Sequence, residues 1–193
     1  MTGKPRIAVI VPSLMIGGTE RHLLAVLPRL VARGFRIEIL TTRGAGALDD
    51  AFVAQGIAIR HPGWLDHFGK AGVIASLTHA LRRQRPDIVH FFLPEAYLLG
   101  GLAAKLARIP YRVMSRRSQN LYQARYPRYA ALERRLHARM DAVLGNSPQV
   151  CAELATEGVP LSRLGMIANG LDTVRFTPGD KVAARRALAL DKA

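Results

Sequence analysis

Three short polar segments of the sequence carry the side chains that could do chemistry. The first is Gly17-Gly18-Thr19, where two residues without side chains precede a stretch of helical period. Such a backbone can approach a ligand closely, and the free N–H groups at a helix start attract anions such as phosphates. A glycine turn that only packs a helix against a sheet accounts for the same residues, so both interpretations stay open.

The second segment combines a histidine with a carboxylate. His90 lies in an apolar run, and Glu95 follows it after Leu93-Pro94. An imidazole and a carboxyl group near one crevice can act as acid, as base or as partners of a sugar hydroxyl. A structural histidine in the core and a glutamate at a helix start are the alternatives.

The third segment is Ser115-Arg116-Arg117, where two guanidinium groups could hold a phosphate or a carboxylate. A solvated loop is the alternative. The remaining histidines have no metal-ligand spacing, so we expect no metal site and assign them no role. They are His22, His61, His67, His79 and His137.

The elements around these segments predict where they meet. Apolar, β-branched runs such as residues 6–11 and 87–92 alternate with helical stretches such as 19–33, 95–108 and 126–140. This alternation predicts an α/β fold, a Rossmann-like, doubly wound and mainly parallel sheet with helices on both faces. Ligands bind such sheets beyond the carboxyl ends of the strands, where the strand order reverses. In the usual order that point lies between the first and fourth strands, beside all three segments.

Two details of this prediction are local. We expect Thr19 to cap the first helix. We also expect the helix at 95–108 to turn four leucines inward, namely Leu98, Leu99, Leu102 and Leu106.

Length and composition narrow the function classes. The chain has 193 residues, which suits one well-buried domain, and a net charge of +14. The single cysteine, Cys151, excludes an internal disulfide, and no apolar run approaches the ~20 residues of a membrane span. We therefore predict a cytoplasmic protein, and its basic excess suits a peripheral position on the inner face of the membrane. Nine arginines and one acid, Glu133, fall between residues 108 and 139.

The glycine loop lacks the fingerprints of the common nucleotide folds. It has no Gly-x-Gly-x-x-Gly, no acid near Thr41-Thr42-Arg43, where that fingerprint would place one, and no Walker lysine. Dinucleotide binding, as in a dehydrogenase domain, and P-loop hydrolysis are both disfavoured.

Four motifs in order resemble one family, the GT-B glycosyltransferases of family four. The resemblance covers nearly the whole chain. The motifs are Gly17-Gly18-Thr19-Glu20-Arg21, Asp87-Ile88-Val89-His90 running into Ala96-Tyr97-Leu98-Leu99-Gly100, Asn146-Ser147, and Asn169-Gly170-Leu171-Asp172 with Phe176-Thr177-Pro178.

The resemblance implies a retaining, hexosyltransferase-type enzyme with two Rossmann-like domains, a nucleotide sugar as donor substrate, no cofactor and no metal. Its N-terminal domain receives a sugar or lipid-linked acceptor. Gly17, Gly18 and Thr19 would contact the donor phosphates, and His90 and Glu95 would lie near the reacting hydroxyl. Ser115, Arg116, Arg117 and Asn169 would bind the acceptor or its phosphate.

Two departures from the family pattern qualify this picture. Phe92 stands where some members have a second histidine, and Arg116-Arg117 stands where many have one, which suggests an anionic acceptor. We expect residues 1–178 to form the acceptor-side domain and 179–193 to lead toward a donor-binding domain that these residues lack. The isolated chain should then be inactive.

A function from another class stays open at this point. Tyr122, Tyr126 and Tyr129 interleave with Arg125 and Arg128, which would suit a non-catalytic module that docks on anionic lipid or, less well, on nucleic acid. The alternative is a helix with its tyrosines in the core and its arginines in solvent.

Overall fold

One parallel sheet of seven strands organises the chain. The computed structural model describes residues 3–170, 173 and 177–190. The strand order is β3-β2-β1-β4-β5-β6-β7, and each neighbouring pair is parallel. The strands are β1 Arg6–Val11, β2 Arg36–Thr41, β3 Ala58–Arg60, β4 Ile88–Phe92, β5 Tyr111–Arg116, β6 Ala142–Gly145 and β7 Leu164–Met166. The predicted Rossmann-like α/β fold is confirmed.

Helices fill the connections between the strands. They are α1 Gly18–Ala32, α2 Asp49–Val53, α3 Gly69–Gln84, α4 Pro94–Leu106, α5 Leu121–Arg125, α6 Pro127–His137, α7 Pro148–Thr156 and α8 Lys181–Ala187. Short 3-10 helices precede α3, at Gly63–Phe68, and β7, at Leu161–Arg163.

Two apolar cores lie on opposite faces of the sheet because successive strand residues point to opposite sides. Ile10 and Phe91 belong to the core under α3, α4, α6 and α7. Their neighbours Val9 and Phe92 belong to the core under α1 and α2. Since β1 pairs with β2 on one side and β4 on the other, the strand order reverses between β1 and β4, as predicted.

Helix α1 begins earlier than the sequence predicted. Its N-terminal cap is Gly17, in an extended conformation, and no side chain caps the helix there. The expectation that Thr19 is the cap is therefore wrong: Thr19 already lies in the first turn and is buried.

The helix predicted at 126–140 is α6, which begins at Pro127 and ends at His137, and a separate short helix, α5, precedes it. Tyr126 adopts φ −131° and ψ 68°, which separates α5 from α6. The cause is Pro127, because a proline ring disfavours the helical conformation of the residue before it and suits the first position of a new helix.

Helix α4 packs on the sheet mainly through small residues, and of the four predicted leucines only Leu98 and Leu99 pack, partly buried, against the core. Its buried side includes Ala96, Gly100 and Ala104, whereas Leu102 and Leu106 are exposed. A Cβ added to Gly100 would lie 3.0 Å from the Phe91 ring. At Gly100 the helix therefore lies too close to β4 for a larger side chain, although Tyr97 of the same helix is buried.

Candidate functional site

The polar segments meet along the carboxyl ends of the central strands. The Gly17-Gly18 loop follows β1, Glu95 follows β4, Arg117 follows β5 and Asn146 follows β6. Parallel strands bring these ends to the same edge of the sheet, so residues distant in sequence become neighbours.

His90 and Ser115 form a pair across adjacent strands. The His90 Nε2 lies 2.8 Å from the Ser115 Oγ, and the His90 ring packs against Phe92, whose centroid is 4.2 Å away. Burial, assisted by the positive charge of Arg117, lowers the pKa of His90 to about 3. The imidazole is therefore neutral near pH 7, which suits hydrogen bonding to a hydroxyl group.

Arg117 connects the β5 loop to the segment that follows β7. Its guanidinium donates a hydrogen bond to the side-chain carbonyl of Asn169. The Asn146 amide donates to the Arg117 backbone carbonyl at 3.2 Å and to the same Asn169 oxygen at 3.4 Å. Three loops are thus held together around one partly exposed guanidinium.

His22 adds a second imidazole beside Arg117. Burial, followed by the charge of Arg117, lowers the pKa of His22, while a hydrogen bond with the Gly170 backbone acts in the opposite direction. Its Nδ1 atom is buried and has no hydrogen-bond partner among the described residues. This nitrogen is therefore an unsatisfied buried polar atom close to Arg117.

Arg116 points away from this edge, into the protein. Its guanidinium donates to both oxygens of Glu157, at 2.5 and 2.8 Å, and to Glu133 at 3.4 Å. All three residues are buried. Of the two arginines predicted to bind an anion, only Arg117 faces the open edge, because burial and two carboxylates engage Arg116.

The Arg116 pair belongs to a larger buried network. Gln123 and Tyr122 also donate to Glu133, and His137 contacts Glu157 at 3.1 Å. Burial would raise the pKa of Glu157, but hydrogen bonds from His137 and Arg116 outweigh it, and the net shift is downward. The network joins β5, α5, α6 and the end of α7 directly behind the candidate site.

Glu95 serves as an anchor between two loops. Thr42 Oγ1 donates to its carboxylate at 2.6 Å, and the Arg43 Nε donates at 3.0 and 3.1 Å. Burial would raise the pKa of Glu95, but the bonds from Arg43 and Thr42 lower it overall. The carboxylate is therefore ionised and already occupied, whereas His90 pairs with Ser115. The structure does not join the two predicted catalytic side chains.

The two glycines of the loop have different surroundings. A Cβ added to Gly17 would lie 2.3 Å from the Glu20 carboxylate, which folds back over the start of α1. A Cβ added to Gly18 would meet no atom within 4 Å. A side chain at Gly17 would require the Glu20 carboxylate to move, while the space over Gly18 is open.

Space for a substrate lies outside the protein rather than in an internal cavity. The cavity behind Leu93, Ser115 and Arg117 measures about 20 Å³, which holds about one water molecule. A sugar would have to lie on the open edge, with its other side uncovered by this domain.

Within the described residues, no three His, Cys, Asp or Glu side chains are grouped as metal ligands. Over the same residues, no helix combines the length and the apolar character needed to cross a membrane. The absence of a metal or cofactor requirement stays a prediction.

Sequence reasoning missed His22 and assigned Asn146 no chemical role. His22 lies just after Gly17-Gly18-Thr19-Glu20-Arg21, so its position beside the glycine loop was the available signal. The proposed landmark residues Leu171, Asp172 and Phe176 lie outside the described residues.

Comparison with known proteins links this geometry to one family. Residues 16–175 match the family model described as Glycosyltransferase Family 4. The chain is 26% identical over 200 residues to a D-inositol 3-phosphate glycosyltransferase from Geodermatophilus obscurus, across 90% of this chain and 44% of that protein.

Solved structures with the same fold include a complex with UDP-glucose, a glycosyltransferase and UDP-N-acetylglucosamine 2-epimerases. Anabaena HepE, crystallised with UDP-glucose, superposes with a TM-score of 0.77 at 17% identity, over 97% of this chain and 50% of that one. A glycosyltransferase from Rickettsia africae gives a TM-score of 0.64 at 18% identity, over 98% and 50%. The chain spans about half the length of these relatives.

Proposed function

Since the chain belongs to Glycosyltransferase Family 4, we propose that it binds the acceptor, and contacts the donor phosphates, in the transfer of a hexose from a nucleotide sugar. The observation that carries this proposal is the grouping of the His90–Ser115 pair, Arg117 and the open Gly18 at one edge of the sheet. Family membership favours this reading over a non-catalytic docking module and over dinucleotide binding.

The donor side of the proposal rests on the start of α1. This helix is 15 residues long, so its first N–H groups carry a partial positive charge. A Cβ added to Gly18 would meet no atom within 4 Å, so a diphosphate could approach the backbone closely at this residue. The HepE structure contains UDP-glucose, which makes UDP-glucose a suitable probe for this chain.

The acceptor side rests on groups that bind hydroxyls and anions. A neutral His90 and the Ser115 hydroxyl can exchange hydrogen bonds with a sugar or cyclitol hydroxyl. Arg117 can pair with a phosphate by leaving the neutral Asn169 amide, which competes weakly with a charged ligand. The name of the Geodermatophilus relative contains such an acceptor, an inositol phosphate.

A titration of isotope-labelled protein with UDP-glucose tests the donor loop. We expect amide chemical-shift changes at Gly17, Gly18 and Thr19, and their loss in Gly18→Val with the fold intact. Gly3→Val provides a matched control, because Gly3 also has open space and lies before the amino end of β1. Shift changes elsewhere that leave the loop unaffected would contradict the donor role.

Comparison of inositol 3-phosphate with unphosphorylated inositol tests the acceptor side. Arg117→Gln should weaken binding of the phosphate but leave inositol binding nearly unchanged, because only the anion uses the guanidinium. Arg36→Gln removes an exposed arginine at the opposite edge and should change neither affinity. Equal weakening of both ligands by Arg117→Gln would show that the residue only supports the loop.

A further inference from the structure

In the segment from α5 through α6, the positively charged arginines are exposed and the single carboxylate is buried. The five arginines of the segment, Arg125, Arg128, Arg134, Arg135 and Arg139, are all exposed. Its single acid, Glu133, is 2% exposed and bonds inward to Arg116, Tyr122 and Gln123. The outer surface of residues 121–139 therefore carries positive charge with no carboxylate of its own.

Large apolar side chains are exposed on the same segment. Leu121 is 77% exposed, Tyr126 45%, Tyr129 39% and Leu132 44%. Of the three tyrosines, Tyr122 turns inward, where its hydroxyl bonds to Glu133. The expectation of tyrosines in the core thus holds for one of the three, and the other two face outward among the arginines.

These side chains form one continuous surface. The rings of Tyr126 and Tyr129 are 5.7 Å apart, and Leu132 follows Tyr129 by three residues along α6, within one helical turn. The Arg125 guanidinium lies over the Tyr126 ring at 5.6 Å, and the Lys70 ammonium lies 4.9 Å from the centre of the Tyr129 ring. Arginine side chains therefore border a strip of leucine and tyrosine.

We infer that this surface, formed by Leu121, Arg125, Tyr126, Arg128, Tyr129 and Leu132 and called the α5–α6 surface below, binds the headgroup region of an anionic lipid bilayer. Tyrosine and leucine enter the interface between headgroup and acyl chain, while the arginines pair with lipid phosphates. Each arginine contributes to the binding free energy because the negative potential of the membrane surface attracts it. The apolar strip contributes by burying nonpolar area in the bilayer.

Lipid explains the arrangement better than nucleic acid does. Base stacking needs open aromatic faces, but Arg125 covers one face of Tyr126, and Lys70 both approaches the Tyr129 ring and donates to its hydroxyl at 2.7 Å. The exposed side chains of Leu121 and Leu132 would make no favourable contact with a phosphate backbone, whereas burying their apolar area in a bilayer is favourable. The inference does not depend on sugar transfer, because binding to vesicles can be measured without donor or acceptor.

Sedimentation with vesicles tests the inference on the 193-residue protein. The vesicles are phosphatidylcholine alone or phosphatidylcholine mixed with phosphatidylglycerol, and we expect binding to the mixed vesicles only. Arg125→Gln with Arg128→Gln should weaken that binding about 30-fold, the factor that corresponds to roughly 1 kcal/mol for each arginine. The matched control, Arg33→Gln with Arg36→Gln, removes the same charge elsewhere and should have little effect.

A second variant tests the apolar part of the surface. Tyr126→Ser, Tyr129→Ser and Leu132→Ser replace exposed side chains, so the fold should survive, as circular dichroism would verify, while binding to mixed vesicles falls. Equal binding to neutral vesicles, or equal loss in the Arg33/Arg36 control, would overturn the inference. Binding to a single-stranded oligonucleotide without binding to mixed vesicles would also overturn it and assign the surface to nucleic acid.

Discussion

The His90 imidazole is kept neutral by its surroundings rather than by its own chemistry. It lies among apolar neighbours, close to the positive charge of Arg117, and both features oppose protonation. A neutral imidazole orients a hydroxyl through a hydrogen bond, but it is a weak base. We therefore assign His90 to positioning the acceptor hydroxyl in the proposed reaction.

The pH dependence of stability should reveal this neutral state. Because the pKa of His90 is about 3 in the folded protein against an ordinary value of 6.5, the unfolded chain binds a proton that the folded chain does not. The free energy of unfolding should fall by about 1.4 kcal/mol per pH unit as pH drops below 6.5. Urea denaturation across this range should show a shallower slope for His90→Gln.

A control at another histidine separates this effect from general acid sensitivity. His79 is exposed on α3, so His79→Gln should retain the slope of the unmodified protein. Direct titration of the His90 ring by NMR should show no protonation near pH 6.5. A normal titration of that ring would contradict the assignment.

At the scale of single elements, α4 shows how closely a helix can approach a sheet. Gly100 faces Phe91 and Ile10, and Gly101 faces Leu136 of α6. The two glycines are adjacent in sequence but meet different neighbours, which makes them a natural matched pair.

Alanine at these two positions should have opposite effects. In Gly100→Ala the new Cβ would lie 3.0 Å from the Phe91 ring and 3.1 Å from Ile10, so we expect a loss of about 1–3 kcal/mol from overpacking. In Gly101→Ala the Cβ meets Leu136 at an ordinary 3.4 Å, and the better helix propensity should raise stability by up to ~1 kcal/mol. Thermal or urea denaturation measures both, and equal effects would contradict the close packing of α4 on β4.

The buried network ties α5, α6 and α7 to β5. Glu157→Gln removes the closer of the two carboxylates that pair with Arg116 and leaves Glu133 as the remaining one, so we expect a cost of about 1–3 kcal/mol from weakened buried hydrogen bonds. The exposed pair of Arg60 and Glu38 is the control, and Glu38→Gln should cost less than about 1 kcal/mol. Similar costs for the two variants in urea denaturation would show that the network contributes no more than a surface pair.

Sequence predicted the strands and the switch point well because long apolar runs such as β1 leave few alternatives for a chain that must bury them. It failed where partners are remote. Arg116 and Glu157 are 41 residues apart, and no local pattern announces their pairing. For α4 it was half right: Leu98 and Leu99 pack against the core, but Leu102 and Leu106 are exposed, and the close approach to the sheet at Gly100 excludes a larger side chain.

At the scale of the whole molecule, the domain offers an open surface rather than an enclosed site. Transfer needs donor and acceptor held together with water excluded, and a 20 Å³ cavity provides neither. The 193-residue chain alone should therefore transfer glucose from UDP-glucose to inositol 3-phosphate no faster than the background reaction. Mass spectrometry of the product measures this, with the loop chemical shifts as proof that the donor is bound. Sustained turnover would contradict the prediction that this chain alone does not transfer the sugar.

The two outermost strands, β3 and β7, are only three residues long each. A long, flat edge strand presents unpaired N–H and C=O groups on which another chain can extend the sheet, and aggregation starts at such edges. Short edges restrict that extension to a few hydrogen bonds. The short outer strands thus limit intermolecular pairing at both ends of the sheet. The longer central strands, which would pair with another chain more readily, are not exposed as edges because β3 and β7 lie outside them.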